Sequence, residues 1–261
     1  MRNTTNSSSS GRRSSEGRLV YGLQPVREVL RTRPELVTRL GLVRAQKTKG
    51  LTRLAEDVGV AIEYVEPRRL DALCRNGQHQ GAALLTADLP LKSLSEIVAA
   101  TPTTILALDG IQDPQNFGAT VRSAVGLANA PVLWPENASA PLSPATFRAS
   151  AGAIEHASLC RVPSLPGALH ELAAAGYVVV GLDAHADLQL RDVRLSTNTV
   201  LVIGSEGKGM ARATRQSCTK LASLVLPHTI DSLNASVAAA VALYEVQSQS
   251  TRHTSSATLG G

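Results

Sequence analysis

Three short segments of this chain place polar side chains or glycines where an apolar run ends. Residues 108–124 carry Asn116 at a polar turn and Arg122 as the lone basic residue of the apolar stretch that follows. Residues 201–210 contain three glycines within six positions, and residues 226–245 include Ser-Leu-Asn-Ala-Ser. Ligands of α/β proteins bind at the carboxyl ends of strands, so all three segments are candidate parts of a ligand site.

The glycine-rich segment allows the backbone to turn tightly and to approach a ligand closely. It does not fit the familiar phosphate-binding or nucleophile motifs. A P-loop needs Ser or Thr after Gly-Lys, whereas Gly209 follows Lys208, and neither GxGxxG nor GxSxG is present. On its own, the segment is compatible with a ligand-binding loop or with a plain strand-to-helix turn.

The third segment predicts a helix over residues 232–247, because Ser232 or Asn234 can cap its free N–H groups. Ser-x-Asn-x-Ser nevertheless gathers more polar side chains than one cap requires. A further polar cluster, Asp183-Ala-His185-Ala-Asp187, has a spacing from which a metal site can be drawn. It follows an apolar run and is interpreted as a solvated loop, so no metal site is predicted.

These segments must be held by an α/β architecture. Residues 18–88 alternate helical and strand patterns and predict a small first unit, and residues 89–102 are interpreted as a linker. Residues 103–248 contain uninterrupted apolar runs (TILALD, PVLWP, SLCRV, YVVVGL, TVLVIG, SLVLP), which are typical of buried parallel strands. Helices are predicted between them over residues 118–127, 165–175 and 210–218.

Composition narrows the classes of protein. Three widely spaced cysteines among 261 residues argue against a disulfide framework or a cysteine zinc site and suit the cytoplasm. No apolar run is long enough for a membrane span. The net charge of +5 indicates either an anionic partner or merely basic ends, and 3% aromatic residues make a stacking platform improbable as the main binding device. Residues 1–17 and 249–261 are predicted to be disordered tails.

Together the three segments resemble the three motifs of the SpoU (TrmH) family of RNA ribose 2'-O-methyltransferases, in the SPOUT superfamily. They read Asp-Pro-Gln-Asn-Phe-Gly-Ala-x-x-Arg-Ser-Ala, Gly-Ser-Glu-Gly-x-Gly-Met and Ser-Leu-Asn-Ala-Ser, in the family's order. Residues 148–156, the pair Tyr21-Gly22 and residues 79–81 are similar to the family as well. The first unit resembles the substrate-binding domain of the bacterial branch that methylates a 23S rRNA guanosine, and its scattered Lys and Arg suit an RNA backbone.

The resemblance implies a trefoil-knotted α/β methyltransferase domain, S-adenosylmethionine as cofactor, 23S rRNA as substrate and a homodimer. It implies five catalytic residues: Asn116, Arg122, Glu206, Ser232 and Asn234. It implies cofactor binding by Ile203, Gly204, Leu226, Ser232 and Leu233. Arginine normally stays protonated, so Arg122 is expected to clamp a phosphate and stabilise the forming alkoxide rather than to act as the base.

Two other functions are compatible with this resemblance. One is methylation of a different RNA site, either a tRNA ribose or another position of 23S rRNA. The other is a non-catalytic RNA-binding or ribosome-assembly homologue. The sequence departs from the family's pattern between Pro227 and Ser232, where the loop is shorter than usual and His228 stands in place of a methionine. Because the resemblance places this loop in the cofactor-binding knot, we expect the departure to affect the affinity for S-adenosylmethionine.

Overall fold

The structure is a computed structural model that describes residues 17–137, 139–140, 142–195, 198–226 and 232–258, with side chains to residue 250. In the first unit the elements are β1 (Arg18–Tyr21), α1 (Leu23–Thr32), β2 (Val37–Leu42), α2 (Lys49–Asp57), β3 (Ile62–Tyr64), α3 (Pro67–Leu73) and β4 (Ala82–Thr86). They are followed by α4 (Leu94–Ala99), β5 (Thr104–Asp109), α5 (Pro114–Ala128), β6 (Val132–Pro135), α6 (Pro144–Ala149) and β7 (Leu159–Val162). The remaining elements are α7 (Leu165–Ala174), β8 (Val178–Leu182), β9 (Thr199–Gly204), α8 (Arg212–Gln216), β10 (Lys220–Ala222) and α9 (Ala235–Thr258).

The first unit is a four-stranded mixed sheet in the order β1-β4-β2-β3. β1 and β2 both pair antiparallel with β4, and β2 pairs parallel with β3, so β1, β2 and β3 run in the same direction. Helices α1 and α2 cover one face through residues such as Val29 and Leu51, and α3 covers the other through Leu70. The helix and strand alternation expected from the sequence is present, with β1 as an additional strand.

Residues 89–102, interpreted from the sequence as a linker, contain α4 and are packed against the second unit. Leu91 forms a bridge with Leu159 of β7, and Ile97 is fully buried in the core beside α7. Ser93 caps α4 by accepting a hydrogen bond from the N–H of Glu96. The Ser-x-x-Glu signature of a capping box was therefore the local signal for this helix.

The second unit is a six-stranded sheet in the order β10-β8-β9-β5-β6-β7, and every pair in it is parallel. Alternate residues of its central strands enter two different cores. Leu106 and Leu108 face α5 and α9, whereas Ile105 and Ala107 face α4 and α7. Burial of both faces explains why these strands are uninterrupted apolar runs, and the mostly parallel sheet predicted from them is confirmed.

Two element boundaries differ from the sequence predictions. The expected strand SLVLP is wrong, because β10 covers Lys220–Ala222 and only Ser223 continues the pairing, as a bridge to Gln189. In addition, α9 extends to Thr258, past residue 249 where the sequence predicts the start of a tail. The side chain of Gln249 accepts a hydrogen bond from Leu195 N and donates one to Arg191 O, which ties this part of the helix to the preceding loop.

A buried ion pair joins the two units. Arg18 of β1 donates two hydrogen bonds, of 2.7 and 2.6 Å, to the carboxylate of Glu155, which follows α6. The side chains are only 6% and 1% exposed. Nearby, His156 Nε2 lies 3.0 Å from the carboxylate oxygen Oε2 of Glu28, on α1. One hydrophobic core runs continuously from the first sheet to α5 and α9.

No helix in the described part of the chain combines the length and apolar character needed to cross a membrane. The implied knot involves the segment before α9, and residues 227–231, including His228 and most of the short loop, lie outside the described residues. The knot therefore stays a prediction, as does the disorder expected for residues 1–16 and 259–261.

Candidate active site

The candidate site lies where the strand order of the second sheet reverses. β5 is followed on one side by β6 and β7 and on the other by β9, β8 and β10. The register pairs Asp109, the last residue of β5, with Gly204, the last residue of β9. Loops that leave two such neighbouring strands diverge and open a crevice, which is the usual ligand position of an open α/β sheet.

Helix α5 begins directly after the first of these loops. Asp113 is the N-cap, because its carboxylate accepts hydrogen bonds from the N–H groups of Gln115 and Asn116, and Pro114 occupies the first helical position. Both features are standard helix starts. The expected turn through Asn116 is therefore wrong: Asn116 already lies in the first turn of the helix.

The glycine-rich segment after β9 folds back on itself. Ser205 N donates to Gly209 O at 3.0 Å, and Gly209 N donates to Ser205 O at 2.9 Å. Gly207 and Gly209 have φ angles of 73° and 66°, a region that other residues rarely adopt. A Cβ on Gly204 would collide with the carbonyl carbon of Gly209. Glycine is therefore favoured at positions 207 and 209 by the left-handed backbone and required at position 204 by the close backbone approach.

The carboxylate of Glu206 gathers the other two segments. Its Oε1 atom accepts hydrogen bonds from Asn116 Nδ2 at 2.9 Å, from Asn234 Nδ2 and from Ala235 N at 3.3 Å. Asn234 Nδ2 also donates to Asn116 Oδ1 at 2.9 Å. We call Asn116, Glu206 and Asn234 the amide–carboxylate cluster. It brings together three of the five residues expected to be catalytic.

Asn234 also caps α9 and is therefore the one of the two predicted caps, Ser232 or Asn234, that takes this position. Its Oδ1 atom accepts from the N–H groups of Ser236 and Val237 at 3.0 and 3.3 Å and from the hydroxyl of Ser236 at 2.6 Å. The helix N-terminus therefore points at Glu206, and a carboxylate is favoured there by the helix dipole. One asparagine thus serves both the helix and the cluster.

A cavity of about 780 Å³ opens beside the amide–carboxylate cluster, and Glu206 is part of its wall. The five residues expected to bind a cofactor all line it: Ile203, Gly204, Leu226, Ser232 and Leu233. Its remaining wall comes from the glycine-rich segment, from the loop after β8 and from the first turns of α9. The cavity combines apolar side chains with backbone, as small-molecule sites commonly do.

Arg122 is not part of the hydrogen-bond network of the amide–carboxylate cluster. It is exposed on α5, six residues after Asn116, and within the described residues it forms no hydrogen bond or ion pair. Its part in catalysis therefore stays a prediction. The guanidinium is left available for an anion.

Three further residues shape the site, and none of them is among those that the resemblance implies. Asp109 Oδ2 accepts a hydrogen bond of 2.6 Å from Ala211 N, which ties the end of the glycine-rich segment to β5. Asp183 and Arg215, which line the cavity, form an ion pair at 2.7 Å. Burial acts to raise the pKa of Asp183, but hydrogen bonds from Arg215 and from His185 N outweigh it, so the pKa is lowered.

The Asp183 loop thus borders the cavity and is not simply solvated. A signal for Asp109 was present in the Asp-Gly at the end of the β5 run, whereas the Asp183–Arg215 contact spans distant segments.

Burial and the nearby Asp109 raise the pKa of the Cys218 thiol to about 11, so this cysteine stays protonated at neutral pH and is a poor nucleophile.

The other segments that resembled the family lie at the junction of the two units. Residues 148–156 include Glu155, which binds Arg18, and Gly152, where an added Cβ would collide with Glu28. In the first unit, His79 lies 3.0 Å from Asp71 and accepts a hydrogen bond from Gly81 N at 2.9 Å. These residues support the fold of the first unit and its docking.

Comparisons with known proteins agree with this architecture. Residues 103–244 match the SpoU rRNA Methylase family, and residues 19–91 match the domain described as RNA 2'-O ribose methyltransferase substrate binding. An uncharacterized tRNA/rRNA methyltransferase of Mycolicibacterium smegmatis is 36% identical over 247 residues, which cover 92% of this chain and 79% of that protein.

Two solved structures of the SpoU methyltransferase AviRb from Streptomyces viridochromogenes are similar in fold. The first has a TM-score of 0.77 at 24% identity and covers 92% of this chain and 91% of that chain. The second, in complex with the cofactor AdoMet, has a TM-score of 0.74 at 25% identity and covers 90% of each chain.

Proposed function

The chain belongs to the SpoU rRNA methylase family of RNA methyltransferases, and we propose that it methylates a ribose 2'-hydroxyl of 23S rRNA, at a guanosine. The observation that carries the proposal is that Glu206, the carboxylate of the amide–carboxylate cluster, lines a cavity of about 780 Å³ just beyond the carboxyl end of β9. Such a substrate places the reaction in the cytoplasm.

The cavity suits S-adenosylmethionine as the methyl donor. Where β9 ends, Gly204 leaves no room for a side chain, so the wall there is backbone. Leu226, Leu233 and Ile203 supply apolar surface, and Ser232 supplies a hydroxyl. When bound, the cofactor supplies a methyl group activated on a sulfonium. The same cofactor is present in the AviRb complex.

The protein's own residues position the nucleotide. The exposed guanidinium of Arg122 binds the phosphate beside the target ribose and stabilises negative charge as the 2'-oxygen becomes more nucleophilic. The amide–carboxylate cluster orients the ribose, with Glu206 held by three donors so that its carboxylate does not move. Ser232 adds a hydrogen bond at the cavity. Fixed geometry of this kind is the main contribution that such a site makes to rate.

The first unit supports a large, structured RNA as the substrate. It matches a domain described as substrate binding in RNA 2'-O ribose methyltransferases, and a buried ion pair fixes it to the methyltransferase unit. A tRNA ribose is the nearest alternative, because relatives carry the combined description tRNA/rRNA methyltransferase. The third possibility is a non-catalytic RNA-binding homologue.

A homodimer is part of the proposal. Val237, Val241 and Tyr244 recur at positions i, i+4 and i+7 of α9 and are 47%, 43% and 64% exposed. They form an apolar stripe on one face of a helix whose other face packs on α5. Exposed apolar stripes of this kind are typical of protein interfaces. We propose that a second copy of this chain covers the stripe.

The test is methyl transfer from tritiated S-adenosylmethionine to protein-free 23S rRNA, with bulk tRNA as comparison and identification of the modified nucleoside after digestion. The expected result is 2'-O-methylguanosine in 23S rRNA alone. Incorporation into tRNA alone would show that the substrate is tRNA and not 23S rRNA. No incorporation into either RNA by a folded protein that also fails to bind the cofactor in calorimetry would support the non-catalytic homologue.

A further inference from the structure

The first unit contains only two aromatic residues, Tyr21 and Tyr64, and both lie at the same end of its sheet, where β1 and β3 finish. Tyr21 is the last residue of β1 and Tyr64 is the last residue of β3. These two outer strands run in the same direction, so their carboxyl ends lie at the same end of the sheet. Three strand spacings of about 4.8 Å, or roughly 14 Å, separate the two strand ends. The register places Tyr21 level with Glu63, so the side chains of Tyr21 and Tyr64 lie on opposite faces of the sheet.

Each of these tyrosines has an arginine over its ring. The guanidinium carbon of Arg44 lies 3.8 Å from the ring centroid of Tyr64, and that of Arg148 lies 5.9 Å from the ring centroid of Tyr21. Tyr64 is 40% exposed, and Arg44 is exposed as well. We call this the arginine–tyrosine edge. One of its arginines comes from α6 of the second unit, so the edge includes both units.

The charges at the arginine–tyrosine edge are not neutralised by neighbouring carboxylates. On the same sheet, Glu63 pairs with Arg39 at 2.6 Å and with Arg69 at 2.7 Å. Arg44 and Arg148, in contrast, form no ion pair with any carboxylate in the described part of the chain. Each guanidinium has one face toward a tyrosine ring, and its other face can receive an anionic or π-rich ligand.

The loop between α3 and β4 holds the Tyr21 end of this edge in place. Arg75, Asn76 and Gln80 all have left-handed φ angles, of 49°, 58° and 54°, which are uncommon for residues other than glycine. A Cβ at Gly77 would collide with the hydroxyl of Tyr21. Backbone strain of this kind is found where a binding surface must keep one shape.

We propose that the arginine–tyrosine edge binds unpaired nucleobases of the RNA substrate, one stacked at Arg44–Tyr64 and one at Arg148–Tyr21. This inference rests on the proposed function, since RNA is the ligand. Unpaired bases stack on guanidinium planes as well as on aromatic rings, so two tyrosines suffice in a chain that is poor in aromatic residues. Bases inside a duplex are already stacked and do not reach these positions.

The position of the edge also connects it to the active site. Arg148 belongs to α6, and Thr146 and Ala149 of α6 pack directly against Gly118 of α5. Gly118 lies one helical turn before Arg122. The helix that carries Arg148 therefore packs directly on the helix that carries Arg122.

The test compares the affinity of the full-length protein for a fluorescent single-stranded RNA and for the same RNA in a duplex, by anisotropy. Tyr64→Leu and Arg44→Ala are expected to weaken binding of the single strand by about 5- to 100-fold, the range for loss of one stacked base. Arg44→Lys, which keeps the charge and removes the plane, is expected to lose at least about 5-fold. Duplex affinity should change less than single-strand affinity in every variant.

Arg39→Ala is the matched control, because Arg39 lies on the same sheet and is paired with Glu63. It should bind both RNAs as the wild type does, and circular dichroism should show all variants folded. Wild-type affinity in Arg44→Lys and Tyr64→Leu, or equal losses for single strand and duplex, would overturn the proposal.

Methyl transfer separates this proposal from the proposed function. If the wild type transfers methyl groups, Tyr64→Leu should raise KM for RNA and leave kcat nearly unchanged. An unchanged KM would contradict base stacking at the arginine–tyrosine edge without contradicting the proposed function. If the wild type transfers no methyl group to any RNA while the stacking variants still lose affinity for single strands, the proposed function fails and the edge stands.

Discussion

Asn116 and Glu206 are 90 residues apart in the chain, yet the amide of one donates a 2.9 Å hydrogen bond to the carboxylate of the other. The contact forms because β5 and β9 are neighbours and each residue lies just beyond the carboxyl end of one of them. Asn234 joins from the start of α9. The helix that follows β5, the loop that follows β9 and the C-terminal helix therefore meet at one carboxylate oxygen.

Replacement of Asn116 by aspartate should disrupt this cluster. The substitution is isosteric, but it removes the donor and sets a second carboxylate against Glu206, so the two repel each other and the cluster opens. We expect methyl transfer to fall by about 10²-fold or more. The control is Asn129→Asp, the same change at the other end of α5, which should leave the rate unchanged. Similar rates for both variants would contradict a role of the cluster in catalysis.

Arg122→Ala should abolish methyl transfer and leave the fold intact. The side chain is exposed and has no partner in the described residues, so its removal leaves no buried group unsatisfied. Transfer is measured with tritiated cofactor, and folding by thermal unfolding. Arg161→Ala, an exposed arginine on β7, is the matched control and should keep wild-type activity. Near wild-type turnover of Arg122→Ala would refute the assignment of Arg122 as catalytic.

Gly204→Ala should weaken binding of S-adenosylmethionine by at least about 10-fold in calorimetry. The new methyl group would collide with the backbone of Gly209 and displace the cavity wall. Gly126→Ala is the control, since open space surrounds a Cβ there and alanine is the better helix former. That variant should bind the cofactor normally. Equal affinities in the two variants would place the cofactor elsewhere.

Removal of one partner of the Arg18–Glu155 pair should destabilise the protein strongly. Both side chains are buried, so Arg18→Met leaves the buried Glu155 with only the longer contact of 3.9 Å to Arg33, and a loss of about 3–5 kcal/mol is expected in urea unfolding. The double variant Arg18→Met with Glu155→Leu should recover most of that loss. If the double variant is less stable than either single one, the ion pair itself is worth more than apolar packing.

Val241→Glu should convert the proposed dimer to a monomer in sedimentation velocity. It places a charge in the middle of the apolar stripe formed with Val237 and Tyr244, where desolvation in an interface is costly. Leu73→Glu is the control, because Leu73 of α3 is also exposed, at 45%, but lies on the first unit. A wild-type protein that sediments as a monomer at all concentrations would remove the dimer from the proposal.

The sequence by itself determined most strands of the second unit and the segments that form the candidate site. Apolar runs such as the one in β5 predict strands buried on both faces, because each face needs apolar side chains. Asn234 was one of two predicted caps of α9 and takes that position. The first two motif segments follow β5 and β9, whereas the third follows the loop after β10. Their expected positions at strand ends predicted a shared site. Local signals are sufficient here because periodicity, capping and turn chemistry act within a few residues.

Only the tertiary structure decided which side chains meet. Nothing in the local pattern places β9 beside β5, so the contact between Asn116 and Glu206 and the Asp183–Arg215 pair depend on strand order. The same holds for Arg148 over Tyr21, which needs two units to be docked. Strand order is set by the burial of whole faces of helices and sheets, a sum over many distant residues, and short stretches of sequence do not contain it.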